Sequence, residues 1–314
     1  MKTKPKPSYR VRNWNSYDAA LKQRGSLSFW IDEAVIAGWI NEQKSGKRGA
    51  SKHYSDGAIA LMATVQSLFN LPGRQTEGFV ESLFGLMGID LPVPDHSTLS
   101  RRMGKVEVEM PVAPSEGAIH VVVDSTGVKV YGEGEWKVRQ HGVDKRRTWR
   151  KLHIGVNEAT GEILAAVAST NNLSDDEAFG DLLDGVEEKI EQVSGDGAYD
   201  KRKCYDEIAA RGAKATIPPR RDAVMWEENE NADPHPRNEN LRQIHKLGRS
   251  RWKQESGYLG RSLAETTMFR FKTIFGGSLR RRLFDNQAVE LFLKCAALNR
   301  MIHLGKPHRD KVEN

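Results

Sequence analysis

Apolar positions in the first hundred residues recur at helical spacing. Phe29, Trp30, Ile31, Val35, Ile36 and Trp39 place one stripe along residues 28–40. A Lys-, Gly- and Ser-rich loop follows at 43–52. Residues 55–69 form an amphipathic pattern with Ile59, Met62, Val65 and Phe69 in frame, and Ser55 or Asp56 as N-cap. Leu71-Pro72-Gly73 breaks it, and 74–87 carries the next stripe, Phe79, Val80, Leu83, Phe84 and Met87. After the rigid Leu91-Pro92-Val93-Pro94, Asp95 caps a short helix, 96–103, that ends in Arg101 and Arg102. Two helices, a tight connector and a short basic helix outline a helix-turn-helix unit, with Arg101 and Arg102 as candidate DNA contacts.

The Pro-rich stretch 111–117 reads as a linker, and beyond it the period changes from helix to strand. Strands are predicted at 119–130, 147–157 and 162–169, then a helix at 175–190, a strand at 192–195, a helix at 201–211 and a strand at 214–217. Residues 220–256 are rich in Pro, Asn and charge with little periodicity, which predicts a loop-rich insertion. Two helices close the pattern, at 261–276 and 285–302, before a frayed tail at 305–314. The expected organisation is therefore a helical DNA-binding region, residues 1–115, followed by an α/β domain with a mixed sheet, residues 116–304.

Charge sharpens this picture. The 314 residues carry a net +6, with 48 Lys and Arg against 42 Asp and Glu, and the basic residues are clustered. Residues 237–282 hold twelve cations and three acids, 136–151 seven and one, and 2–24 seven and one. An acidic stretch, 175–191, holds eight acids and one lysine. One such basic run is an ordinary solvated face; three interleaved with Trp and Tyr point to a polyanion partner, double-stranded DNA. No apolar run approaches a membrane span. The basic start lacks the apolar segment of a signal peptide, and two distant cysteines, Cys204 and Cys295, suit a reducing cytoplasm, so a cytoplasmic, nucleoid-associated protein is expected. The nine histidines show no zinc-ligand spacing.

Three acids stand out. Asp124 interrupts a buried strand, where a carboxylate must be paired, hydrogen-bonded or metal-bound. Asp196 ends a second strand between two glycines, while Asp200 is expected to cap the following helix. Glu265 belongs to the set Tyr258, Arg261, Glu265 and Lys272. At about 100° per residue these four fall within about 60° of one helix face, although Gly257 and Gly260 weaken the first turn around Tyr258. Taken alone, Arg261 and Glu265 make an i, i+4 salt bridge. Two strand-end carboxylates plus a helix-borne glutamate suit Mg²⁺, a hard cation that keeps positions open for phosphate and water.

The motifs Asp124-Ser125-Thr126-Gly127, Asp196-Gly197-Ala198-Tyr199-Asp200 and Tyr258-Arg261-Glu265-Lys272 resemble those of the Asp-Asp-Glu transposases of bacterial insertion sequences. The resemblance is greatest to the group named for insertion sequence five, runs from about Tyr9 to Thr266, and meets no departure at the motif positions. It implies a ribonuclease-H-like catalytic domain behind the helical region, with Asp124, Asp196 and Glu265 holding two Mg²⁺ ions, for which Mn²⁺ can substitute. It also implies DNA-backbone roles for Tyr258, Arg261 and Lys272, and a homodimer on paired DNA ends. Trp252 is a candidate for stacking on an unpaired base, or else a core residue. Arg139, His141, Lys151 and His153 border the first strands and are candidates for phosphate contacts. A hydrolytic nuclease without strand transfer and a non-catalytic helix-turn-helix regulator are the competing readings. An aspartic protease fits poorly, because Ser125-Thr126 adds a residue to the expected motif.

Overall fold

The structure is a computed structural model and describes residues 8–42, 52–130, 149–227 and 234–312. A short strand β1 (Ser8–Val11) leads into helices α1 (Trp14–Gln23), α2 (Leu27–Trp30), α3 (Glu33–Ala37), α4 (Asp56–Leu68), α5 (Gly73–Met87) and α6 (His96–Arg102). The sheet follows: β2 (Ile119–Val130), β3 (Trp149–Asn157) and β4 (Ile163–Thr170), then α7 (Phe179–Asp184), β5 (Ile190–Ser194), α8 (Arg202–Ala210) and β6 (Lys214–Thr216). Helices α9 (Pro236–Leu247), α10 (Arg249–Glu255) and α11 (Ser262–Phe275), strand β7 (Ser278–Leu279), helix α12 (Phe284–Leu304) and strand β8 (Arg309–Val312) complete the chain.

Strands run in the order β4-β3-β2-β5-β6, with β7 pairing the end of β2. The first three are antiparallel, whereas β5, β6 and β7 run parallel to their neighbours. This six-stranded mixed sheet is consistent with a ribonuclease-H-like domain. The alternation along β2 explains why helices cover both faces. Val121 and Val123 pack with Phe179, Leu182, Cys204 and Ile208 of α7 and α8. Val122 points the other way, joining Leu152 and Ile154 against Ala264, Met268 and Phe271 of α11 and Leu291 and Leu298 of α12.

The N-terminal helices build a third core from Trp39, Ile59, Met62, Val65, Phe84, Leu99 and Met103, and Val289 and Leu293 of α12 complete it. Helix α12 is thus shared between the helical region and the sheet. Local signals act as the sequence suggests: the Ser55 side chain accepts from Ala58 N, and Asp95 accepts from the amides of Ser97 and Thr98. Such caps contribute about 1 kcal/mol each.

Five expectations change. The stripe at 28–40 is split into α2 and α3, because the Asp32 side chain accepts from Ala34 N and starts a new helix. The helix expected at 175–190 is confined to α7. Gly185 ends it, and a Cβ there would lie 3.0 Å from that of Ala165, so the chain passes close to β4. The segment 220–256 is not loop-rich throughout, since α9 and α10 occupy most of its second half. Its anchor is a buried ion pair in which Arg237 Nε donates to Asp200 Oδ1 at 2.8 Å, while the Arg237 guanidinium lies 4.3 Å from the Trp226 ring. Asp200 is therefore committed to Arg237 rather than capping a helix; the N-cap of α8 is Lys201. Removing one partner of such a pair costs about 3–5 kcal/mol. Finally, the expected frayed tail pairs antiparallel with β1, Val11 opposite Arg309.

Because α12 closes the N-terminal core, a fragment of residues 1–115 exposes the apolar surface that Val289 and Leu293 cover. Urea unfolding followed by circular dichroism is expected to show no cooperative transition for this fragment and a clear one for the full chain. A sharp transition in the fragment would show that the helical core closes without α12.

Candidate active site

Pairing of β2 with β5 sets the geometry. Val122 lies opposite Ser194 in parallel register, so Asp124 in β2 and Asp196, two residues past Ser194 and just beyond the end of β5, come to the same end of the neighbouring strands. Both lie on the α11 side of the sheet. Gly195 makes the close approach possible: a Cβ there would stand 2.8 Å from the Tyr199 ring and 3.1 Å from Val123. The Asp196 side chain accepts from Ala198 N at 2.8 Å and opens a 3-10 turn, Gly197–Tyr199. Glu265 comes from the first turn of α11, and its side chain is 55% exposed.

Arg261 ties the acids together. Its guanidinium pairs with Glu265 and lies 3.7 Å from Asp124 Oδ2, with its own side chain only 16% exposed. Burial raises the Asp124 carboxyl above its usual value. The Ser125 amide, which donates to Oδ1 at 2.9 Å, and Arg261 pull it down, while Asp196 and Glu265 push it further up. Burial works against the charge of Arg261, but Tyr258, Glu265, Asp124 and Asp196 together outweigh it and hold the guanidinium above its ordinary value. Three mutually repelling carboxylates thus share an internal cation.

Tyr258 sits in a 3-10 turn, Tyr258–Arg261, ahead of α11, entered through Gly257 at φ 77°, a left-handed conformation that glycine adopts without strain. The tyrosine is buried, with its ring 5.7 Å from the Arg261 guanidinium carbon and 5.0 Å from Lys253 Nζ. It is a shelf for Arg261 rather than an exposed DNA contact. Trp252 is 1% exposed, its ring centroid 5.9 Å from that of Tyr258, so the stacking role expected from the sequence gives way to the core reading. Arg261 is paired with acids, the salt bridge to Glu265 that the spacing alone predicts, where the resemblance implied a DNA-backbone role. Lys272 is exposed on α11.

The remaining candidates separate. Lys151 Nζ donates to Leu173 O at 2.8 Å and to Asp175 at 3.2 Å, and His153 is buried with Nε2 2.9 Å from Ser169 Oγ; both serve the fold. Arg102 is held by Tyr54 O at 2.6 Å and Asp56 at 2.5 Å. Arg101 is exposed and, among the described residues, bonds within its own helix, to Ser97 O and Thr98. Arg139 and His141 lie outside the described residues. Sequence reasoning missed the polar layer under the site, where His120 Nε2 lies 2.7 Å from Ser194 Oγ and Gln192 donates to Thr216 and Ser256 O. Burial, aided by Lys214, pushes the His120 pKa down to about 4, so it is neutral at pH 7. Its placement in a strand among valines was the available signal.

Two family patterns described as "Transposase DDE domain" match the sequence, one over residues 115–300 and another over 22–133. The first covers more than half of the chain, which therefore belongs to the DDE transposases. Members of this family generally use divalent metals. Here the donor chemistry fits such an ion: three carboxylates offer hard oxygens, and a guanidinium stands in as the cation among them. Among the described residues, no three acid, His or Cys side chains lie close enough together to hold an ion. Among them, too, no helix is long and apolar enough to cross a membrane.

An acid whose carboxyl is raised in the folded state binds its proton more tightly there than when unfolded. Its ionisation therefore costs stability as pH rises above the ordinary carboxylate value near 3.8. In metal-free buffer at neutral pH, Asp124→Asn is expected to raise the melting temperature, and the advantage is expected to vanish as pH falls below that value. A lower melting temperature at pH 7 would mean that Arg261 more than offsets the burial of Asp124.

Proposed function

We propose that the chain is a DNA transposase that binds insertion-sequence ends, hydrolyses a phosphodiester there and joins the freed 3′-OH to target DNA. The observation that carries this reading is that Asp124 and Glu265 share the Arg261 guanidinium, with Asp196 near enough to act on both Arg261 and Asp124 through its charge. In this reading the three carboxylates hold two Mg²⁺ ions, or Mn²⁺ in their place. Bound there, the ions would supply Lewis-acid polarisation of the scissile phosphate.

The chain's own residues do the positioning. With an ion held by the three carboxylates, Arg261 would be free of Asp124 and Glu265 to contact the DNA backbone, with Tyr258 fixing its base. Lys272, about two turns beyond Glu265 on the same helix face, contacts a neighbouring phosphate. Residues 1–115 form the DNA-binding region and 116–304 the catalytic one. The capped α6, packed on α4 and α5 in helix-turn-helix fashion, supports recognition through exposed Arg101, while Arg102 holds α6 to Asp56. Two chains act together on paired ends of double-stranded DNA.

Asp124→Asn, Asp196→Asn and Glu265→Gln are each expected to abolish cleavage and joining, with end binding within a few-fold of wild type, because affinity comes from the basic residues. Labelled ends, purified protein and Mg²⁺ in a strand-transfer assay test this. Robust cleavage by any one variant would remove that residue from the site, and cleavage without joining would leave a hydrolytic nuclease.

Lys272→Ala is expected to leave the melting temperature nearly unchanged, as an exposed side chain with little packing. It should weaken end binding and flatten its salt dependence by roughly one unit of slope. An unchanged slope with reduced stability would make Lys272 a structural residue instead.

A further inference from the structure

Helix α11 carries an aromatic side chain that the fold does not use. Phe269 is 70% exposed, whereas Met268, Phe271 and Phe275 turn inward and supply the packing face. At about 100° per residue the ring stands about 40° from Glu265 around the helix, with Lys272 about 20° to the other side of that acid. Its exposed neighbours, Glu265, Thr266, Lys272 and Thr273, are all polar. A lone apolar side chain is ordinary on a protein surface; the position of this one is what matters.

Phe269 lies about 6 Å along the helix axis from Glu265, less than two base steps at about 3.4 Å each. Asp124 is recessed, its side chain only 19% exposed, so a strand freed from the regular stack would reach it more readily than a rigid duplex. Apolar side chains that insert between base steps unstack and kink a duplex in this way. Trp252, the other aromatic candidate, is buried.

We propose that Phe269 is the wedge that stacks on a base beside the scissile bond and opens the DNA end so that one strand reaches the acidic wall. The inference rests on the transposase reading above and assigns Phe269 as a positioning residue. The test uses the full chain, Mg²⁺ and linear duplexes carrying the element's ends, either fully paired or mismatched at the two base pairs beside the cut. 2-Aminopurine at that position reports unstacking by its fluorescence, independently of cleavage.

Loss of one base–aromatic stack corresponds to about a fivefold to 150-fold effect. Phe269→Ala is expected to lower cleavage of the paired end by at least about fivefold, to cut the mismatched end within about threefold of wild type, and to lose the fluorescence rise. Phe269→Trp should retain all three properties. Equal losses on paired and mismatched ends, or an undiminished fluorescence rise in Phe269→Ala, would overturn the wedge. If the wild type unstacks the end but never cuts it while Phe269→Ala fails to unstack, the wedge stands and the hydrolytic reading falls. If the wild type cuts without a fluorescence rise, the wedge falls and the hydrolytic reading stands.

Discussion

Like charge is the constraint around which the acidic face of the sheet is organised. Three carboxylates brought onto one side of a sheet repel each other, and a half-buried Asp124 feels this most. A cation among them offsets that repulsion, and Arg261 supplies it. The guanidinium needs its own support. Tyr258 lies beneath it, Gly257 allows the turn that delivers it, and Gln192 reaches across from β5 to bond Ser256 O just ahead of that turn. The helices α9 and α10, which precede the turn, are fixed by Arg237 on Asp200, only four residues after Asp196. An apparently separate insertion thus feeds directly into the geometry of the acids.

The elements with strong periodicity were legible in the sequence. The central strand with its interrupting Asp124, the helix bearing Glu265 and the paired helices of the N-terminal region all fall where hydrophobic spacing puts them. Asp124 and Asp196 stood out for a different reason, since a charged residue inside an apolar strand or between glycines has few structural explanations, whereas Glu265 stood out only by its place on a helix face beside Arg261. What the sequence concealed was pairing at a distance. Nothing around Asp200 announces Arg237, and nothing around Asp56 announces Arg102. Both arginines therefore read as surface cations until the fold brought their partners to them. Burial of aromatics was equally hidden, since Trp252 and Tyr258 lie in a basic stretch that looks exposed by composition but packs its rings together with Ile244.

The two faces of the sheet differ in what they are asked to do. The α7 and α8 face is closed by an ordinary apolar layer. The α11 and α12 face must pack firmly while keeping an acidic, solvated strip open, and it does so by dividing single helices lengthwise. On α11, Ala264, Met268 and Phe271 face the sheet while Glu265, Phe269 and Lys272 face outward.

Helix α12 is divided in another sense, along its length, between the core under the sheet and the core of the N-terminal helices. Swapping the helical region for that of a relative is therefore not a cut at the linker. The graft must bring matched side chains at Val289 and Leu293, more than 160 residues downstream of the linker. The unit of modular exchange in this chain is discontinuous in sequence though contiguous in space.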